Sequence, residues 1–197
     1  MAAGRHSARQ LRLRAARPSD RECAKVSDIA IQEPFSWGWS SLRTRPGRYV
    51  RAFLGVFVRY FMGVFFFAAG VNKLFQGWPW STRVREVFED HLLELDPEAF
   101  GAMFLEHIGI PFYLPIGWVV TFGEIAAGVG LLLGLATRWS GGLALWLIFM
   151  IGVGGYYDAS LLPLGLMCVI IIVSRSGHYL GLDRRLALQH PSAIWFR

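Results

Sequence analysis

Three ionisable residues stand where charge is expensive. Arg59 and Lys73 lie in "VRYFMGVFFFAAGVNKLF" (Val58 to Phe75), and Glu124 lies in "WVVTFGEIAAGVGLLLGLATR" (Trp118 to Arg138). A carboxylate and a cation inside apolar helices can bind a polar ligand group, or trade a proton with one. Stepping about 100° per residue from Arg59 places Gly55, Gly63, Phe66, Gly70 and Lys73 within about 40° of it. One narrow stripe therefore carries both cations and three glycines, the small residues that let another backbone come close in a membrane. Glu124 shares a face with Thr121, Ala127 and Gly128. Counting from the expected helix ends, Arg59 and Glu124 differ in depth by roughly 6 Å, which an arginine side chain can bridge, so an Arg59–Glu124 ion pair is expected. Such a pair serves as structural glue or as a ligand site, with the structural role slightly ahead. Lys73, beside Asn72, either faces inward or snorkels to water at the helix end.

The elements that must hold these residues are membrane spans. The 197-residue chain is 54% hydrophobic and 17% charged, against about 25% charged in soluble domains. A span needs about 20 mostly apolar residues. Four windows meet or approach that length, about 52–75, 113–136, 140–157 and 160–177. The last is the weakest, with Pro163 near its start, where neighbours must satisfy the freed carbonyl. The fold expected is all-α, an integral membrane four-helix bundle over 52–185. A basic, largely disordered tail (1–51) precedes it and a short tail (186–197) follows.

Charge sets the orientation. More than half of the twenty Lys and Arg precede the first span, from Arg5 to Arg51, and the C-terminal tail adds Arg175, Arg184, Arg185 and Arg197. The loop 76–112 holds only Arg83 and Arg85, against Glu86, Glu89, Asp90, Glu94, Asp96, Glu98 and Glu106. By the positive-inside rule both termini are cytoplasmic and this loop is exterior, in a multi-pass protein of the cell inner (plasma) membrane. Within the loop, Val84, Val87, Phe88, His91, Leu92 and Leu95 follow helical spacing. They predict an amphipathic helix over the mouth of the bundle, broken at Asp96-Pro97 and followed by a short second piece to His107. Its use as a cap outweighs its use as a substrate lid.

The N-terminal arm is arginine-rich and poor in acids, like a transit peptide, but lacks serine richness and a signal-peptide h-region. It reads as a basic arm drawn to anionic lipid, with Trp37 and Trp39 suited to the headgroup level. The net charge of +6 is thus explained by lipid, not nucleic acid. Cys23 and Cys168 cannot form an exterior dithiol relay. No histidine lies mid-span to hold haem, and two cysteines cannot hold an iron–sulfur cluster. No dinucleotide or P-loop motif occurs, and no metal site is visible.

The paired stretches "RYFMGVFFFAAGVNKL" (Arg59 to Leu74) and "GEIAAGVGLLLGLATR" (Gly123 to Arg138), with the late "GHYLGLDR" (Gly177 to Arg184), resemble the DoxX/DoxD family of small four-helix membrane proteins. The resemblance covers roughly Ala52 to Arg185. It implies a quinone-facing subunit, one branch of the family serving thiosulfate:quinone oxidoreductase, with quinone as co-substrate. The matching positions are Arg59, Lys73, Glu124 and Arg138, with Glu124 and Arg59 in the catalytic role. Lys73, Arg83 or Arg85 would attract thiosulfate at the outer face. The apolar windows make the lipid bilayer a partner, and the resemblance implies a second subunit or redox partner, with a homo-oligomer as a further option. The competing expectation is a non-catalytic membrane anchor or assembly subunit of a redox or oxidative-stress complex. A small-solute transporter ranks third, since no inverted repeat is visible.

Overall fold

The structure is a computed structural model that describes residue 43 and residues 46–174, 176–178 and 180–189. Most of the basic tail, with Cys23, Trp37 and Trp39, lies outside the described residues, as do Arg175 and residues 190–197.

All regular structure among the described residues is helical. Helix α1 (Pro46–Phe75) starts six residues before the apolar window, so the helix takes in part of the segment expected to be tail. Proline suits this first position, since its missing N–H has no partner there anyway. Then come α2 (Arg83–Glu94), α3 (Phe100–Phe104) with a π-turn over Leu105–Gly109, α4 (Tyr113–Leu133), α5 (Thr137–Val153) and α6 (Leu161–Val173). A 3₁₀ turn (Ser176–His178) and α7 (Asp183–Gln189) follow. The amphipathic helix and its break are as the spacing predicts: α2 ends at Glu94, with Leu95 extended ahead of Asp96-Pro97.

Two stretches, Tyr49–Phe75 and Tyr113–Leu133, are long and apolar enough to cross a membrane; α5 and α6 are shorter apolar helices. Helices α1, α4, α5 and α6 pack in a ring, α1 against α4, α4 against α5, α5 against α6, and α6 back on α1. Their shared core includes Met62, Phe66, Ala127, Leu131, Leu147 and Ile171. Large apolar side chains such as Phe53, Phe57, Val64, Phe149 and Leu166 face outward, as lipid contact requires.

Glycine fixes the α1–α4 register. A Cβ on Gly128 would lie 2.5 Å from the Phe67 nitrogen, and one on Gly70 would lie 2.7 Å from Ile125 Cγ1. One on Gly63 would meet Leu132 at 3.0 Å. The two backbones touch, and each step along α1 is matched by a step back along α4. Gly77 (φ 76°) and Gly134 (φ 64°) end α1 and α4 in the left-handed conformation. In each case the next N–H reaches back five residues, Trp78 to the Lys73 carbonyl (3.1 Å) and Leu135 to that of Gly130 (2.8 Å). This Schellman geometry satisfies carbonyls the helix leaves open.

Candidate functional site

The glycine-lined stripe of α1 faces inward as its spacing predicts: Gly55, Arg59, Gly63, Phe66 and Gly70 are buried and Lys73 is partly buried. On α4, Thr121, Glu124, Ala127 and Gly128 form the buried face. The pairing of charges differs from expectation. Lys73 Nζ donates to Glu124 Oε1 and Oε2, both at 2.8 Å, with the two side chains 19% and 4% exposed. The expected Arg59–Glu124 pair does not form. Arg59 lies level with Gly134, where a Cβ would sit 3.0 Å from Arg59 Nη1, and Gly134 is ten residues, about 15 Å, along α4 from Glu124. The two helices do not end at one level: α1 begins at Pro46 and runs on past the end of α4 at Leu133, so the residue opposite Arg59 lies in the α4–α5 turn.

Two constellations therefore stand at opposite ends of the ring. The first is Lys73–Glu124 and its surroundings. The ammonium lies 5.2 Å from the centre of the Trp78 ring, and the Trp78 carbonyl packs on Gly117 of α4, where a Cβ would come within 2.7 Å. Thr121, one turn from Glu124 on the same face, is fully buried, and its Oγ1 has no hydrogen-bond partner. Above this site α2 and the α5–α6 loop are joined by stacked rings of His91 and Tyr156, 3.8 Å between centroids. Burial, aided by the Glu94 carboxylate, pushes the Tyr156 phenol up to about 12, so it stays neutral.

The second constellation is a clasp made by the C-terminal segment. Arg59, fully buried, donates from Nη1 to the Ser176 carbonyl at 2.9 Å and from Nη2 to that of Leu180. Asp183 accepts from the Ala136 N–H (2.6 Å), the Thr137 N–H (3.0 Å) and the Thr137 hydroxyl (2.6 Å). It thus caps α5 from a distant part of the chain, with its negative charge at the helix N-terminus. The Leu182 and Asp183 amides donate to Leu133 (3.2 Å) and Gly134 (2.9 Å). Only glycine fits at 177, where a Cβ would overlap the Asp183 carboxylate and the Thr137 hydroxyl.

Of the four expected site residues, the structure brings Lys73 and Glu124 together, places Arg59 in the clasp, and leaves Arg138 exposed, its Nε donating to the Ile172 carbonyl at the end of α6 (3.1 Å). Arg83 and Arg85 pair with Glu86 (3.7 Å) and Glu89 (2.7 Å) on α2. Asp183 and Thr121 were not singled out from sequence. Asp183 had a signal in "GHYLGLD", where a carboxylate follows two glycines four apart; Thr121 had only its place one turn before Glu124.

The DoxX family model matches residues 54–155, more than half of the chain. The chain belongs to the DoxX family. The match begins in α1 and ends in the α5–α6 loop, so it takes in Arg59, Lys73, Glu124 and Arg138. It stops short of α6 and of the segment that supplies Asp183. No curated protein and no solved structure matches. Family and apolar helices together make this a membrane protein, in contact with lipid.

Proposed function

We propose that this DoxX protein is the membrane subunit of a quinone-linked oxidoreductase, with Lys73 and Glu124 as the quinone-facing pair. The observation that carries the reading is the ion pair between the two longest apolar helices, beside the unpartnered Thr121 hydroxyl. An ammonium, a carboxylate and a free hydroxyl suit a ligand whose oxygens accept hydrogen bonds in one redox state and donate them in the other. Bound there, a quinone would supply two-electron, two-proton redox chemistry. The chain's own residues would do the rest: Lys73 donates to a ring oxygen, Glu124 holds or delivers a proton, and the apolar helices exclude water.

In this reading α1, α4, α5 and α6 all cross the inner membrane, with the clasp cytoplasmic and α2 and α3 outside. The sequence carries no motif for a bound redox cofactor, so a partner polypeptide brings electrons from thiosulfate or another small reductant. Arg59 and Arg138, expected to touch the ligand, act through the fold instead. The clasp favours a second reading, a non-catalytic anchor, because its charges serve only to hold segments together.

Quinone binding by the purified chain in nanodiscs separates the two. Saturable binding by the wild type that is lost in folded Glu124→Gln and Lys73→Met supports the oxidoreductase subunit. A folded wild type that binds no quinone leaves the anchor.

A further inference from the structure

We propose that Glu124 exchanges its proton with one side of the membrane only, the side bearing α2 and α3, through Lys73 and the hydroxyl of Thr121. The inference rests on Glu124 as the working carboxylate but not on the ligand being a quinone.

The two directions out of Glu124 differ in kind. Toward the clasp, Met62, Phe66, Ala127, Leu131, Ala144 and Ile171 form a layer in which no residue is more than 2% exposed. A proton crosses such a layer only along a chain of hydrogen-bonding groups, and the apolar core here offers only the lone thiol of Cys168, a weak donor. The next charge, Arg59, lies about 15 Å away along the helix axis, fastened to the Ser176 and Leu180 carbonyls.

Toward α2 the path is polar and short. Continuing the register of Gly63 with Leu132, Phe67 with Gly128 and Gly70 with Ile125 places Lys73 level with Phe122, next to Thr121. Both therefore lie on the α2 side of Glu124. Lys73 is 19% exposed where Glu124 is 4% exposed, and its ammonium lies against the Trp78 ring of the loop that leads to α2. Thr121 Oγ1 is buried with no protein partner, and a hydroxyl so placed takes a water or a ligand group. The route runs from water at the Trp78 loop to the Lys73–Thr121 level and then to a Glu124 oxygen. The proton that binds that oxygen comes from this side and returns to it.

The other titratable groups near the site, His91 of α2 and, stacked on it, Tyr156 of the α5–α6 loop, also lie on the α2 side. Lys73 faces Glu124 from α1. Helix α4 adds only Tyr113 at its far start, α5 only Arg138 at the clasp end, and α6 only Cys168, buried in the apolar core. The carboxylates of α2 are exposed above the site.

The test uses the full chain in sealed vesicles. Orientation is read from the labelling of Leu93→Cys, an exposed site on α2, in a Cys23→Ser background. The carboxyl stretch in infrared difference spectra that vanishes in Glu124→Gln reports on Glu124. With the other side buffered, a pH step on the α2 side is expected to change this signal and a step on the clasp side to leave it. Thr121→Val should slow the response at least tenfold, and Thr121→Ser should restore it. A response to the clasp side, or to neither side, overturns the inference; an unslowed Thr121→Val overturns the part given to the hydroxyl. Since no quinone is present, sided exchange and quinone binding succeed or fail separately.

Discussion

The two ends of this helical ring both bury charge, but they use it differently. In the clasp, Arg59 and Asp183 point their charges at backbone groups, carbonyls for one and amides for the other. At the α2 end, Lys73 and Glu124 point theirs at each other. Charge fastened to backbone determines where segments lie, and has no freedom left for chemistry. Charge fastened to another side chain can be released by moving one proton. The clasp therefore reads as architecture, and the pair keeps the freedom that the proposed site requires, a distinction that neither burial nor residue type makes alone.

The largest expected effect tests the architectural half. Asp183→Ala strands two amides and a hydroxyl, and each unsatisfied buried group costs about 1–3 kcal/mol. A total of about 3 kcal/mol or more is expected as a drop in the unfolding midpoint in detergent. Adding Arg59→Met should worsen the loss, because the partners left behind are backbone groups that no second substitution removes. Rescue by the double variant would erase the contrast between the two ends.

The pair should behave in the opposite way. Lys73→Met leaves a nearly buried carboxylate alone, and breaking such pairs costs about 3–5 kcal/mol, less here to the extent that Lys73 is exposed. Glu124→Gln should cost less, since the ammonium can turn to water. Combining Lys73→Met with Glu124→Leu should recover much of the loss, as apolar replacements of buried pairs often do. A double-mutant cycle measures this coupling; additive losses would mean that Lys73 and Glu124 are held by the fold, like the clasp.

Rotation about each helix was legible in the sequence and position along it was not. The spacing of Gly55, Arg59, Gly63, Phe66, Gly70 and Lys73 states which side of α1 is inside, because the helical period leaves little choice. It does not state which residue of α4 stands opposite. That register comes from backbone contacts at Gly63, Gly70 and Gly128, and hydropathy windows have edges too blurred to supply it. Without the register, the nearest acid is the natural partner for Arg59, whereas its actual partners are carbonyls, which every residue possesses. The role of Asp183 was hidden for the same reason.

Register makes its own prediction of intermediate size. Gly128→Ala would push a methyl group into the Phe67 backbone, and such overpacking costs about 1–3 kcal/mol. It should also lengthen the Lys73–Glu124 contact, so the loss of stability should come with weaker coupling in the cycle above. Gly142 has open space around it, so Gly142→Ala should stay within about 0.5 kcal/mol of wild type or gain slightly. Equal losses at both glycines would mean that α1 and α4 do not meet at Gly128.

The smallest effect belongs to a charge that faces a side chain in water. In the α5–α6 loop the Ser160 hydroxyl donates to Asp158 Oδ2 at 2.6 Å. That bond, helped by backbone amides, holds the exposed Asp158 carboxyl below its usual range. A depressed carboxyl adds stability above its unfolded value, about 3.9, and loses it as pH falls through the lower folded value. Ser160→Ala removes the largest cause, so the folded value should rise toward the ordinary one, with stability falling away less steeply in acid. Carboxyl carbon shifts followed through an acid titration would show the rise at Asp158. They should leave Lys73–Glu124 coupling at neutral pH untouched, because solvent screens an exposed carboxylate from a buried pair. A change in that coupling would mean that the loop and the site share one network, and that the α2 end is wired more widely than its contacts imply.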